Sequence, residues 1–401
     1  MKSLCIFLAL IALSLADPQI IRLNKFNSDN GATTLAAETG GNLYLASSDD
    51  VSMLKNIQIT TGARSITLDQ LVNGTAFKIT DKLSIKSGNS QASAADLTGF
   101  LYVTTALQAN DDSFSVIVVN GPQSLSRTAS YSTTVVLNTH WNVQFPPFSL
   151  PDKTTYVTDI NQPESTNLNF HHEIPPWNWT VVTWNQFFEN PQMISKIDDN
   201  GNLLPRTRTF FSKIEPLQIN VPYWYITSNG PFSMTLDSKY ENENTHTTTT
   251  DNATGLYVVT DVFMEQNVYF TNLDMTKKRW TGTLTTSYLN YPMQISFLNE
   301  AGGSSIQKFG SGNSLVHGQF VTDFAATHLY INATALNPGT LYLQYFVFSG
   351  DALPSTTSTT SSVTTSSSVS TTTVITTTKS SRSHDFIAFS IFASIFSLLR
   401  R

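Results

Sequence analysis

The chain contains one cysteine in 401 residues, Cys5, and it lies in an apolar N-terminal run from Leu4 to Leu15. A basic start, Met1-Lys2-Ser3, precedes that run, and Ser14 and Ala16 supply small residues at the minus-three and minus-one positions of a cleavage site. The run is shorter than the roughly 20 residues a membrane-crossing helix needs. Residues 1–16 are therefore expected to be a secretory signal peptide, cut after Ala16. The secreted part would then hold no cysteine, which excludes disulfide-stapled modules, thiolate nucleophiles and cysteine metal sites. Its cores must be stable through burial and strand pairing alone.

Charge is the second shortage. Only 13% of the residues are charged, against about a quarter in ordinary soluble chains. Lys and Arg number 23 against 29 Asp and Glu. Such a balance gives no basic footprint for phosphates, so a nucleic-acid partner is excluded. Polarity comes instead from Ser, Thr, Asn and Gln. Catalytic signatures are missing too: there is no Gly-x-Ser-x-Gly elbow, phosphate loop or His-Glu-x-x-His. Carboxylates are present, but nothing in the sequence brings two together as glycoside hydrolysis requires. Neither catalysis nor a cofactor is expected.

Helical signals are scarce between residues 18 and 350, where short β-branched and aromatic runs alternate with Gly, Pro, Asn and Asp clusters. That pattern reads as strands and turns. Ser113 to Val119, Thr133 to Asn138 and Leu341 to Phe348 are examples. An echo suggests how they divide. Phe77-Lys78-Ile79-Thr80 precedes Thr98-Gly99-Phe100-Leu101-Tyr102-Val103-Thr104, and Trp224-Tyr225-Ile226-Thr227 precedes Thr254-Gly255-Leu256-Tyr257-Val258-Val259-Thr260. A fainter copy runs from Gln319-Phe320-Val321-Thr322 to Leu329-Tyr330-Ile331-Asn332. If each echo closes a unit, β-sandwiches are expected over 17–107, 108–262 and 263–350. Favoured strand composition alone would also produce such triplets, so the count stands at two or three.

The segment Ala76-Phe77-Lys78-Ile79-Thr80-Asp81-Lys82-Leu83-Ser84-Ile85, with Gly99-Phe100-Leu101-Tyr102-Val103 after it, resembles the nematode CUB-like family of secreted proteins. The resemblance covers about a quarter of the chain. It implies an all-β fold of tandem, jelly-roll-type sandwiches, extracellular and non-catalytic, in some members linked with defence or stress. It would also allow calcium on paired acids such as Asp49-Asp50 or Asp111-Asp112, although disulfide-bearing members of the family differ from this chain.

Three clusters bear on binding. His171-His172-Glu173 is the densest group of metal-ligand types; adjacent residues of a strand point to opposite faces, so the group is expected in a turn before Pro175-Pro176, without a metal. Asp198-Asp199-Asn200-Gly201-Asn202 resembles the start of a calcium loop, but the twelfth position is Thr209 where glutamate is needed, and a turn is expected. Trp177, Trp179 and Trp184 crowd around Asn178. On a strand Trp177 and Trp179 would share a face, able to stack on a sugar or dock a partner, or else to fill a sandwich core, which aromatic composition favours. The ligand would be an extracellular protein or glycan.

Four Asn-x-Thr sequons, at Asn73, Asn178, Asn252 and Asn332, are glycan acceptors if the chain is secreted. From Ser355 to Ser381, 22 of 27 residues are Ser or Thr; residues 351–381 are expected to form an extended, O-glycosylated stalk. Residues 382–401 close with an apolar run of 14 residues, Phe386 to Leu399. That is short for a span and fits a glycosylphosphatidylinositol (GPI) signal, with Ser380 as the attachment residue and the outer membrane leaflet as partner. The spacer after Ser380 is short for such a signal and the chain ends in arginines. Removing both ends would leave the displayed part near −9.

Overall fold

A computed structural model describes residues 17–352, apart from 72–73, 140–153, 181–184, 199, 240–244, 249–250, 263–265, 271–276, 290–292, 300–303, 310–315, 323, 325 and 333–336. The signal peptide, Asn73, Trp184, Ser380, residues 353–381 of the stalk and the C-terminal tail lie outside the described residues, while 351–352, expected to open the stalk, end a strand.

The described part is nearly all β. In the first sandwich, the sheet Gln19–Arg22, Phe100–Val103, Asn42–Ala46, Phe77–Lys78 faces the sheet Ala32–Leu35, Leu83–Ser87, Ile57–Thr61, Arg64–Thr67. Alternation does the work: Leu43, Leu45, Leu101 and Val103 from one sheet meet Ile57, Ile59, Leu83 and Ile85 from the other in a single core. Short capped helices link the strands. Asp50 accepts from the Ser52 N–H at the start of Val51–Leu54, and Asp49 accepts from Thr98 N–H, Gly99 N–H and the Thr98 and Ser47 hydroxyls. Asp111 similarly accepts from the Ser113 N–H. These acids, allowed as calcium ligands by the CUB-like resemblance, serve as caps and turn acceptors.

The second sandwich sets the five-stranded sheet Gln186–Asn190, Leu168–His172, Tyr223–Ser228, Ser132–Asn138, Phe114–Val119 against Gln123–Arg127, Phe232–Lys239, Thr154–Asn161, Leu217–Ile219. The third sets Lys213–Ile214, Ala253–Val262, Asn337–Ala352, Lys277–Leu289, Val316–Val321 against Thr245–Thr248, Gln266–Phe270, His328–Asn332, Met293–Leu298, Ser304–Phe309.

The strand Ala253–Val262, assigned by the echo to the end of the second unit, pairs with Asn337–Ala352 in the third, Tyr257 opposite Leu343. The echoing strands Tyr223–Ser228 and Ala253–Val262 thus belong to different sandwiches, so that echo reflects strand composition and not a repeated unit. The reason lies in Asn337–Ala352, which is buried on both faces. Leu341, Leu343, Tyr345 and Val347 enter the third core, while Tyr342 joins the second core and Phe346 and Phe348 pack with Trp280. A strand covered on both sides reads as a continuous apolar run, and it needs long partners on each edge.

The sandwiches are fused through residues 17–352. Ala46, Phe100 and Tyr102 of the first pack against Phe114, Val135, Leu137 and Tyr225 of the second. Phe187 stacks on Tyr342 at 4.5 Å between centroids. Gln344, fully buried, accepts from the Glu189 N–H at 2.9 Å and donates to the Glu189 carbonyl at 2.9 Å, mimicking a ladder rung on the strand Gln186–Asn190.

Candidate ligand-binding site

The outer face of the five-stranded sheet of the second sandwich is only partly covered by the first. On that face the register places Thr133, Thr227 and Asn169 in one row and Val135, Tyr225, His171 and Gln186 in the next. Their chain neighbours Val136, Trp224, Ile226, Leu168 and Phe170 point the other way, into the core. Where cover by the first sandwich stops, a cavity of about 540 Å³ opens, its floor formed by Thr133, Asn169, His171, Gln186, Tyr225 and Thr227 and its walls by Trp179, Thr180, Tyr131 and Ser132.

His171 anchors the floor. Its Nδ1 lies 3.0 Å from Asn185 Oδ1 and its Nε2 2.8 Å from Thr227 Oγ1. A carboxamide oxygen only accepts, so Nδ1 carries the proton and Nε2 accepts from the Thr227 hydroxyl. Asn185 is fixed in turn by donating its Nδ2 to the His172 carbonyl at 2.8 Å and by accepting from the Tyr225 hydroxyl at 3.3 Å. The imidazole also stacks on the Tyr225 ring at 4.5 Å and 7°. Burial pushes the His171 pKa down to about 4, so the ring is neutral at pH 7. His172, on the opposite face, stacks on Tyr342, and burial, with His171 beside it, lowers its pKa to about 4.

The two histidines therefore end a strand, and only Glu173 is in a turn, with φ 72°. The expectation of a turn for all three is corrected: strand pairing with Tyr223–Ser228 continues through His172. Among the described residues no group of three or more potential ligands could hold a metal ion. The Asp198 segment is the expected turn. Asp198 Oδ1 accepts from the Asn200 and Asn202 N–H groups, and Gly201 has φ 81°.

The tryptophans depart from the strand reading. Residues 177–180 form a turn and not a strand, so Trp177 and Trp179 share no sheet face. Trp177 is 44% exposed, while Trp179 is half-buried against Phe114, edge to face at 5.3 Å. Pro175-Pro176 takes the chain off the sheet after Glu173, so Trp177 fills no core, while Trp179 packs on the margin of the core shared by the first and second sandwiches and also lines the cavity. Phe187 and Phe188 do enter the second core. Asn178 is half-buried, and its Oδ1 accepts from the Thr180 hydroxyl at 2.8 Å. Asn252 is exposed with φ 58° and accepts from the Ser349 N–H. Asn332 ends the strand His328–Asn332, where only the backbone is described.

The sequence reading missed Thr133, Thr227, Asn169, Gln186 and Tyr131. The available signal was that residues alternating with Leu168, Phe170 and Ile226 on the off-core face are amides and hydroxyls, with no charges. Two oxygens of the lining residues, Ser132 Oγ and Gln186 Oε1, are buried away from the cavity space with no hydrogen-bond partner among the described residues. The Gln186 amide is oriented by donating Nε2 to Glu189 Oε1 at 3.0 Å. Glu189, opposite Asn169 in the register and so on the same face, does not line the cavity, and burial raises the pKa of its carboxyl.

Fused sandwiches with an uncharged, aromatic-walled cavity on an exposed sheet face define a multi-sandwich all-β protein. The chain belongs to the transmembrane glycoprotein family, whose model matches residues 38–396. It is thus a member of a glycoprotein family, and among the described residues no helix is long and apolar enough to cross a membrane. No curated protein sequence matches the chain. Similar solved structures include an uncharacterized protein from Listeria monocytogenes EGD-e, at 9% identity and TM-score 0.18. A cycloalternan-forming enzyme from Listeria monocytogenes, in complex with a pentasaccharide substrate, gives 8% and 0.17. For both, 80% of this chain spans only 30% of the other. The infectious bursal disease virus VP2 subviral particle gives 10% and 0.09, over 84% of this chain and 69% of that one. At these scores the likenesses carry no argument about function.

Proposed function

We propose that this protein is a glycosylated cell-surface protein that works by binding an extracellular protein or glycan, without catalysis. The observation that carries the reading is the cavity beside Trp179. It is of a size typical of ligand sites, about 300–1,000 Å³, and is lined by neutral side chains. The one titratable imidazole in it has both nitrogens engaged. General acid–base chemistry needs a group free to exchange a proton near the operating pH, and His171 is held away from that role.

The membrane tether is proposed to be a GPI lipid on Ser380, since the 14 residues from Phe386 to Leu399, Ser390, Ser394 and Ser397 among them, fall short of a span. Glycans are proposed on Asn178, Asn252 and the other sequons. The modules are proposed to be CUB-like, and with that resemblance goes a role in defence or stress responses. Phosphatidylinositol-specific phospholipase C applied to intact cells is expected to release the protein. Retention after treatment, together with resistance to carbonate extraction, would replace the lipid by a membrane span, as the family's description has it.

A further inference from the structure

We propose that the cavity beside Trp179 is a saccharide site. It would take a neutral sugar ring with its apolar face against the indole and its hydroxyls among Thr133, Asn169, Gln186 and Thr227. The assignment rests on the binding function above and names the class of ligand.

Charge makes the first discrimination. The residues lining the cavity include no Lys, Arg, Asp or Glu, and His171 donates from Nδ1 and accepts at Nε2 as a neutral ring. A phosphorylated, sulfated or carboxylated ligand would lose its water here without a countercharge, which is costly. The polar floor makes the second. Thr133, Asn169, Gln186 and Thr227 line it with hydroxyls and amides, so a purely apolar ligand would cover these groups without replacing their water, whereas a hydroxylated one offers both donors and acceptors.

The walls make the third. Trp179, held edge-on by Phe114, and Tyr131, 74% exposed at the rim, offer flat apolar surfaces beside the polar floor. A ring with C–H bonds on one face and hydroxyls around its edge matches both kinds of surface at once. An aromatic body that is apolar on its face and accompanied by hydrogen-bonding groups suits such amphipathic partners.

Two sources of sugar share this chemistry. One is a glycan on another molecule. The other is the chain's own glycan, because Thr180 lines the cavity and bonds the Asn178 amide of its own sequon.

The test uses full-length protein from a eukaryotic secretory host, solubilised in detergent, as wild type and as Asn178→Gln. Both are applied to an array of neutral oligosaccharides of glucose, galactose, mannose and N-acetylglucosamine, beside sialylated and sulfated ones. Neutral oligosaccharides are expected to be captured, about ten-fold more weakly after Trp179→Ala, which is about one decade in Kd. Trp177→Ala, outside the cavity, should leave capture unchanged. Capture by both forms identifies a glycan of another molecule; capture by Asn178→Gln alone identifies the chain's own glycan as occupant. Asn169→Ala guards against misfolding: this half-buried floor amide should weaken capture with the melting temperature unchanged, and a merely structural amide would lower both. The assignment is overturned if neither form retains neutral oligosaccharides, if only charged ones bind, or if Trp179→Ala and Asn169→Ala leave capture unchanged. Peptide or protein binding in the cavity would then keep the binding function alone. Hydrolysis of a captured sugar would instead overturn the non-catalytic reading and leave the sugar assignment standing.

Discussion

At the residue scale, His171 and His172 show how little a pair of metal-ligand types says until its surroundings are known. Each is 5% exposed or less, and each has its pKa lowered to about 4, mainly by burial. The unfolded chain takes up protons near pH 6.5, before the folded one does. The stability they contribute is therefore complete above pH 6.5 and is lost as pH falls from there toward 4. The ceiling is about 3 kcal/mol for each histidine. His317, also lowered by burial, acts in the same direction, while Glu173 and Glu189, raised by burial, protonate first in the folded protein and oppose the loss. Urea melts between pH 7.5 and 4.5 should show the midpoint falling, with a shallower slope in His171→Gln. A flat profile in the wild type would contradict the burial of these rings. From sequence the pair was visible as a cluster, but the partners that decide its chemistry, Asn185, Thr227, Tyr225 and Tyr342, are brought in by sheet register.

At the element scale, the strand Gln186–Asn190 is an edge of its sheet and would present unpaired N–H and C=O groups. Gln344 supplies both missing partners at Glu189, and Thr286 adds a hydroxyl donated to the Gln186 carbonyl at 2.9 Å. Gln344→Leu keeps the volume and removes the rung, leaving two buried backbone groups unpaired. The expected loss is about 2–4 kcal/mol in equilibrium unfolding. Gln344→Glu should be no better, since a carboxylate has no N–H for the Glu189 carbonyl; stability within about 0.5 kcal/mol of wild type in either variant would show the rung to be unimportant. In sequence, Gln344 is one polar residue in the middle of Leu-Tyr-Leu-Gln-Tyr-Phe-Val-Phe. It could be recognised as an exception to an apolar run, but the strand it would serve lies 155 positions away.

At the scale of the whole molecule, the absence of cysteine from the described residues is met by merging cores. Leu256 and Tyr342 of the third sandwich are members of the second sandwich's core, and aromatic residues of the first and second share another. Second and third sandwiches are accordingly expected to unfold together. Tyr342→Ala should lower the stability of both by about 3–5 kcal/mol, as large-to-small changes at buried aromatics do. Scanning calorimetry with hydrogen exchange on strands of each sandwich checks this; loss of protection confined to the third would show the cores to be independent.

Sequence alone determined the all-β class and the extent of the Ser/Thr-rich end, because strand alternation, turn residues and composition are local properties. It also marked out the stretch around Trp179 and Asn178 and the adjacent histidines. Tertiary structure decided which strands share a sandwich, placing Ala253–Val262 in the third, and it put Trp179 at the margin of a core as the wall of a cavity. It also assembled the cavity floor from strands up to about a hundred residues apart in the chain. Pairing partners and register are set by which faces can be buried together, a property of the folded whole. The scarcity of cysteine and charge excluded several modes of stabilisation and binding, while the placement of uncharged amides and hydroxyls on one sheet face formed the cavity.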